Sequence, residues 1–81
     1  MQNDVIESNL ISILEEVFPT FDIAEIVKDE RFIDQVPFDS ISQMMLLIKI
    51  KKKLGVVINQ NDLPQVETYD GLLKFVLSRS N

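Results

Sequence analysis

The sequence predicts a small all-α domain that spans residues 1–81, a bundle of three or four helices with a long loop after the first helix and a short helix before the last. Hydrophobic residues make up 46% of the 81 residues, a content suited to a globular core and too high for a disordered chain. Apolar side chains also recur at intervals of three and four residues in separate stretches. A chain of this length forms one compact domain.

The first helix is predicted over residues 5–18. Its apolar residues at helical spacing are Ile6, Leu10, Ile13, Leu14 and Val17. Asp4, followed three residues later by Glu7, is an aspartate variant of the capping box that opens many helices. Pro19 is expected to end the helix, because proline lacks the backbone N–H that a helix interior needs.

A long connection over residues 19–38 separates the first two helices. Within it, apolar residues after Asp22 support a single helical turn. The second helix is predicted over residues 40–54, since Asp39 is a good N-cap and Gly55 is typical of the position just beyond a helix end.

The remaining chain is predicted to end in a third principal helix over residues 69–78, with Thr68 as its cap. Before it, the β-branched residues 56–58 favour a short extended segment. Residues 59–64 are typical of a turn or a one-turn helix. Gly71 lowers the helix propensity near the start of the last helix.

Charge is distributed unevenly along the chain. Residues 1–39 carry a net charge of −8, whereas residues 40–81 carry +3. Four bases lie together in the second helix: Lys49, Lys51, Lys52 and Lys53. No aromatic residue or arginine is interleaved with them, so a nucleic acid partner is not expected. Positive charge near a helix C-terminus also offsets the negative end of the helix dipole, which is a local explanation for these lysines.

Composition disfavours several classes of protein. The chain has no Cys and no His, which removes disulfides, thiolate metal sites, a thiol nucleophile and the commonest general base, so an enzyme is not expected. Its longest apolar run, residues 44–48, is far shorter than the roughly 20 residues that span a bilayer. The polar, acidic N-terminus is unlike a secretory signal. We expect a cytoplasmic monomer.

Ser40 is the residue with the clearest chemical potential. It follows a long loop and opens an amphipathic helix, where an attached anionic group would be stabilised by the positive end of the helix dipole. The alternative is that Asp39 serves only as a helix cap and that Ser40 is merely a tolerated polar residue. The Asp-Ser dipeptide alone does not separate these interpretations.

The sequence around Ser40 is part of a wider pattern. It comprises Phe38-Asp39-Ser40-Ile41 and the aliphatic run to residue 48, then residues 54–58, 62–63 and 68–76. Through these segments the chain resembles the acyl carrier protein family, whose members open their second helix with Asp-Ser-Leu or Asp-Ser-Ile. Family members also have a short third helix and a fourth helix opened by Thr.

This resemblance implies that Ser40 carries a phosphopantetheine arm, delivered from coenzyme A by a separate phosphopantetheinyl transferase. It also implies that Asp39 helps that transferase to bind Mg²⁺. The arm would bring the thiol that the polypeptide lacks, and an acyl group would be held on it as a thioester. The protein would then be a substrate and a tether, not a catalyst, for enzymes of lipid, fatty-acid, polyketide or specialised biosynthesis.

The second helix has more apolar residues than one buried face requires. We expect Leu46, Ile50 and Leu54 to face a core with Leu10, Leu14, Leu72 and Val76. Ile41, Met44, Met45 and Ile48 then line the mouth of an acyl pocket, form a stripe that docks partner enzymes, or belong to the core as well. Met suits adaptable contacts, which favours docking.

The lysines depart from the family pattern. Typical bacterial fatty-acid carriers have acids where this chain has Lys51, Lys52 and Lys53, and the reversed sign predicts loading and transfer enzymes with acidic docking faces. The Phe38-Asp39 leader is also similar to that of aminoacyl carriers such as the D-alanyl type, so acyl and aminoacyl cargo both remain open. A different possibility is an unmodified interaction module that docks a partner through its Met and Lys surface.

Overall fold

The structure is a computed structural model that describes residues 2–79, with side chains described from Asp4 onward. The remaining ends of the predicted domain, residues 1, 80 and 81, lie outside the described residues. The elements are α1 (Gln2–Val17), a 3₁₀ turn (Ile23–Glu25), α2 (Phe32–Gln35), α3 (Ser40–Leu54), a 3₁₀ helix (Gln60–Val66) and α4 (Tyr69–Arg79). The predicted small all-α bundle is confirmed.

Helix α1 is already helical at Gln2, so Asp4 lies inside its first turn and is not the N-cap. The predicted capping box is therefore wrong. Glu7, its expected second member, instead accepts a hydrogen bond of 2.7 Å from the Tyr69 hydroxyl at the start of α4. A contact between residues distant in the chain has taken the place of the local cap.

The core lies between α1, α3 and α4. Leu46 and Ile50 of α3 are buried, and Leu54 is partly buried. They pack in one cluster with the predicted core residues of the other two helices, Leu10, Leu14, Leu72 and Val76. The predicted orientation of α3 is thus confirmed, which fixes the opposite side of this helix as surface.

The long connection is held by one amide side chain. Gln35, at the end of α2, accepts a hydrogen bond of 2.8 Å from the Val27 N–H and donates to the carbonyls of Val27 and Glu30 at 2.8 and 2.9 Å. The predicted turn after Asp22 is confirmed, since the Asp22 carboxylate accepts a bond from the Ala24 N–H at 3.1 Å. Helix α2 was not predicted.

The connection also pairs with the start of α4. The Phe32 N–H donates to the Glu67 carbonyl at 2.8 Å, and the Asp70 N–H donates to the Lys28 carbonyl at 3.0 Å. Arg31 and Thr68 form an isolated antiparallel bridge between these two bonds. The loop before the second principal helix is therefore fastened to the C-terminal third of the chain.

The chain between α3 and α4 winds closely over the core. The predicted extended segment 56–58 forms no strand, while Val56 and Ile58 are buried. The following 3₁₀ helix is longer than the predicted turn. Thr68 caps α4 as predicted, accepting a bond of 3.0 Å from the Gly71 N–H.

Among the described residues, the helices are too short or too polar for any of them to traverse a lipid bilayer.

Candidate attachment site and partner surface

Ser40 is the first residue of α3 and is exposed. Within residues 2–79 its hydroxyl has no hydrogen-bond partner. Helix α3 is 15 residues long and is anchored in the core by Leu46 and Ile50, so the position of this hydroxyl is held by a rigid element. A free hydroxyl at an exposed helix start is open to modification by another protein.

Asp39 is the N-cap of α3, as predicted. Its Oδ1 accepts two hydrogen bonds from Ser42, from the backbone N–H at 2.8 Å and from the hydroxyl at 2.9 Å. These bonds, the backbone bond first, lower the pKa of Asp39 below its ordinary value because they stabilise the carboxylate. Asp39 therefore presents a negative charge beside the Ser40 hydroxyl.

Ser42 is a functional candidate that the sequence prediction missed. It stands three residues after the cap, the position from which many helices return a polar side chain to their N-terminus. Its two bonds orient the Asp39 carboxylate. That spacing was a signal that could have identified it.

The apolar residues of α3 that are not needed for the core form an exposed stripe. Ile41, Met44, Met45 and Ile48 are between 41% and 65% exposed. Their assignment to the core is therefore wrong. The spacing of three and four residues places them along one side of the helix, beginning next to Ser40. We call these four residues the α3 stripe.

The four lysines of α3 divide into two pairs. Lys49 and Lys53 both contact the Glu16 carboxylate of α1, at 3.1 and 2.8 Å. The Lys53 bond, followed by the Lys49 bond, lowers the pKa of Glu16. Since this ion pair joins two helices, it gives Lys49 and Lys53 a structural role.

Lys51 and Lys52 are exposed and form no ion pair with the described residues. They follow Ile48 by three and four residues, so they continue the α3 stripe toward the C-terminus of the helix. This surface therefore joins a free hydroxyl, an apolar stripe and two unpaired positive charges along one helix.

A groove of about 200 Å³ lies close to the start of α3, although Ser40 itself does not line it. Phe38 and Gln43, from either side of the serine in the chain, line it together with Phe32, Leu63 and Val66. The Phe38 ring packs 5.9 Å from the Phe32 ring and 6.0 Å from the Phe18 ring. These contacts fix the chain just before Ser40 against the core. None of the α3 stripe lines this groove.

The described side chains hold no group of three or more acidic residues suited to a metal ion. Among the described residues near Ser40, Asp39 is the one carboxylate at the start of α3.

Comparison of the chain with protein-family models and with curated proteins gives no match. The functional interpretation therefore depends on the geometry around Ser40 and on the resemblance described above.

Proposed function

We propose that the protein is a carrier that holds an acyl or aminoacyl group as a thioester on a phosphopantetheine arm attached to Ser40. The observation that supports this proposal best is the exposed Ser40 hydroxyl, which has no hydrogen-bond partner within residues 2–79. It stands beside a charged Asp39 at the start of a helix that Leu46 and Ile50 anchor in the core. The arm supplies a thiol, which this chain lacks.

Attachment requires Ser40 to act as a nucleophile. Its oxygen attacks the phosphorus next to the pantetheine part of coenzyme A, a P–O bond to Ser40 forms, and adenosine 3′,5′-bisphosphate leaves. The Ser40 proton passes to a base of the transferase, because this chain has no His to receive it. Asp39 would supply one carboxylate ligand to a Mg²⁺ ion held mainly by the transferase, and that ion would offset the phosphate charges.

The helix start also suits the product. A phosphodiester on Ser40 places one negative charge at the positive end of the α3 dipole, an arrangement that contributes about 0.3–1 kcal/mol at an exposed site. Asp39 is a second negative charge, and it is turned toward Ser42 by two hydrogen bonds.

Partner enzymes dock on the α3 stripe and on Lys51 and Lys52. The stripe offers apolar area beside the attachment point, and Met44 and Met45 adapt to differently shaped partners. The two lysines select partners whose rim is acidic, through faster encounter with opposite charge. Lys49 and Lys53 contribute less, because both are already ion-paired with Glu16 on α1.

The test is intact mass spectrometry after incubation with coenzyme A, Mg²⁺ and a permissive phosphopantetheinyl transferase. Wild-type protein should gain one arm, and Ser40→Ala should gain none. Ser12→Ala, which removes an exposed hydroxyl from α1, is the matched control and should gain the arm as wild type does. A wild type that stays unmodified with several transferases, or a modified Ser40→Ala, would contradict the proposal.

The second candidate function is an unmodified interaction module. The α3 stripe favours it, because an exposed apolar helix face with two unpaired lysines could bind a partner without any arm. Intact mass distinguishes the two functions, because a carrier gains the arm and an unmodified interaction module does not. An interaction module should also bind its partner equally well as wild type and as Ser40→Ala.

A further inference from the structure

The groove beside Ser40 has a rim of unequal charge. Arg31 lines it, but its Nε is paired with the Asp34 carboxylate at 3.1 Å. Glu67 lines it too, and has no ion pair among the described side chains. Glu67 is therefore the charged residue of this rim that has no ionic partner among the described side chains.

The position of Glu67 is built into the fold. Its carbonyl accepts the Phe32 N–H at 2.8 Å, and the next residue, Thr68, bridges to Arg31. The backbone of Glu67 is thus held against the loop that forms the opposite wall. Below the rim, Phe32, Phe38 and Leu63 make the groove apolar. One carboxylate above an apolar floor is suited to a small cation with a short aliphatic part.

The volume limits the size of the occupant. A groove of about 200 Å³ equals about seven water molecules at 30 Å³ each. An alanyl-sized group fits within it, and a sixteen-carbon acyl chain does not. A group tethered to Ser40 is also presented to the groove at high effective concentration, so weak complementarity is enough to populate the bound state.

We infer that this groove recognises an aminoacyl thioester, through its α-ammonium group against Glu67 and its small side chain against Phe38 and Leu63. This inference rests on the proposed function, since the cargo arrives on the Ser40 arm. The groove thereby favours aminoacyl cargo over acyl cargo. A malonyl group, which carries a free carboxylate, is repelled by the same Glu67.

The experiment loads ¹⁵N-labelled protein by transfer of preformed arms from alanyl-, isobutyryl-, malonyl- and hexadecanoyl-coenzyme A. Alanyl and isobutyryl differ only in an ammonium against a methyl group. The alanyl form should shift the backbone amides of Gln43, Leu63, Val66 and Glu67 relative to the unloaded thiol form. The isobutyryl form should shift them less, and the malonyl and hexadecanoyl forms should not fill the groove.

Glu67→Gln removes the charge with little change of shape, and should abolish the shifts specific to alanyl. It should also shorten the half-life of the alanyl thioester about two- to fivefold, the range expected for loss of one exposed charge pair. Glu15→Gln, the same change on α1 away from the groove, should do neither.

The outcomes separate the two proposals. If mass spectrometry shows the arm on Ser40 but alanyl and isobutyryl forms give equal shifts, the groove inference is wrong and the carrier function stands. If no arm is ever transferred, both are wrong. The alanyl and isobutyryl comparison uses wild-type protein, so it decides the question even if Glu67→Gln does not fold.

Discussion

Asp39 caps α3, and the proposed function gives it a second role as a metal ligand. The Asp39 carboxylate caps α3 through two bonds from Ser42, and those bonds keep it ionised next to Ser40. Capping needs only an oxygen acceptor, whereas a metal ion needs the negative charge. The two roles can therefore be separated by changing the charge while keeping the oxygen.

Asp39→Asn should leave stability close to wild type, because asparagine caps a helix about as well as aspartate. Transfer of the arm should slow markedly, since an amide is a weaker Mg²⁺ ligand than a carboxylate. The measurements are chemical denaturation and the initial rate of arm transfer over a range of Mg²⁺ concentrations. Wild-type transfer at all Mg²⁺ concentrations would mean that Asp39 is only a cap.

Tyr69 gives a prediction for high pH. It is 2% exposed, and its burial, reinforced by the bond to Glu7, raises the pKa of its hydroxyl above the ordinary value. An unfolded tyrosine loses its proton near pH 10, while the folded one keeps it, so the unfolded state binds fewer protons above that pH. Stability is fully present below about pH 10 and should fall as the pH rises further.

Tyr69→Phe is the matching control for this pH dependence. It should lower the free energy of unfolding by about 1–3 kcal/mol at neutral pH, because Glu7 loses its partly buried donor. It should also flatten the decline above pH 10, as measured by urea denaturation at several pH values. An unchanged decline would assign the alkaline loss to other groups.

At the scale of elements, prediction worked where the determinants were local. The bounds of α3 were predicted in full because Asp39 caps one end and Gly55, with φ of 69°, ends the other. Helix α2 escaped prediction because its four residues are held mainly by long-range contacts, the burial of Phe32 and the bond to Glu67. The capping box at Asp4 failed because α1 is already helical at Gln2, and Glu7 binds a tyrosine 62 residues away.

The same division holds for the candidate site. Ser40, Asp39 and the α3 stripe could be predicted, since they lie in one continuous helix with a recognisable pattern. The groove could not, because Arg31, Phe38, Leu63 and Glu67 come from separate segments that only the folded chain brings together. The pairing of Glu16 with Lys49 and Lys53 likewise joins two helices and has no local signal.

The junction between the 3₁₀ helix and α4 carries the third prediction. A glycine inside a helix normally costs about 1 kcal/mol relative to alanine. Gly71 is different, because a Cβ there would overlap the Gln65 carbonyl oxygen and crowd the Thr68 hydroxyl. Helix propensity alone predicts that Gly71→Ala stabilises the protein. Because of this close approach, we expect the substitution to destabilise it by about 1–3 kcal/mol, the range for an overpacked site.

Urea denaturation of wild type and Gly71→Ala measures this effect. Ser78→Ala, near the other end of α4, is a control for alanine in the same helix. Among the described residues, the Ser78 hydroxyl bonds the Phe75 carbonyl of its own helix and no other group. A Gly71→Ala protein that is more stable than wild type would show that the backbone at Gln65 shifts to accommodate the added methyl group, and that the close approach is not required.

On the scale of the whole molecule, the fold pairs some of the unevenly distributed charges and leaves others exposed. The N-terminal half carries −8 and the C-terminal half +3, yet the chain does not simply neutralise itself. Glu16 is ion-paired with both Lys49 and Lys53, while Lys51 and Lys52 stay exposed at the end of the α3 stripe. The end of α3 that continues the stripe is therefore positively charged, although the chain as a whole is acidic.

This arrangement predicts that only two of the four lysines set partner choice. A Lys51→Glu, Lys52→Glu double variant should associate more slowly with the cognate loading enzyme, and its association rate should depend less on salt. A Lys74→Glu, Arg79→Glu variant makes the same change of net charge on α4 and should retain most of the wild-type rate. Loading kinetics at low and high salt compare the three proteins.

A Lys49→Gln, Lys53→Gln variant completes the comparison, because it breaks the ion pairs to Glu16 and leaves Lys51 and Lys52 in place. It should change stability slightly and association little. If all variants load at the wild-type rate while remaining folded, the lysines are a solvated helix end. If the Lys74, Arg79 control slows as much as the Lys51, Lys52 variant, net charge rather than the α3 surface governs the encounter.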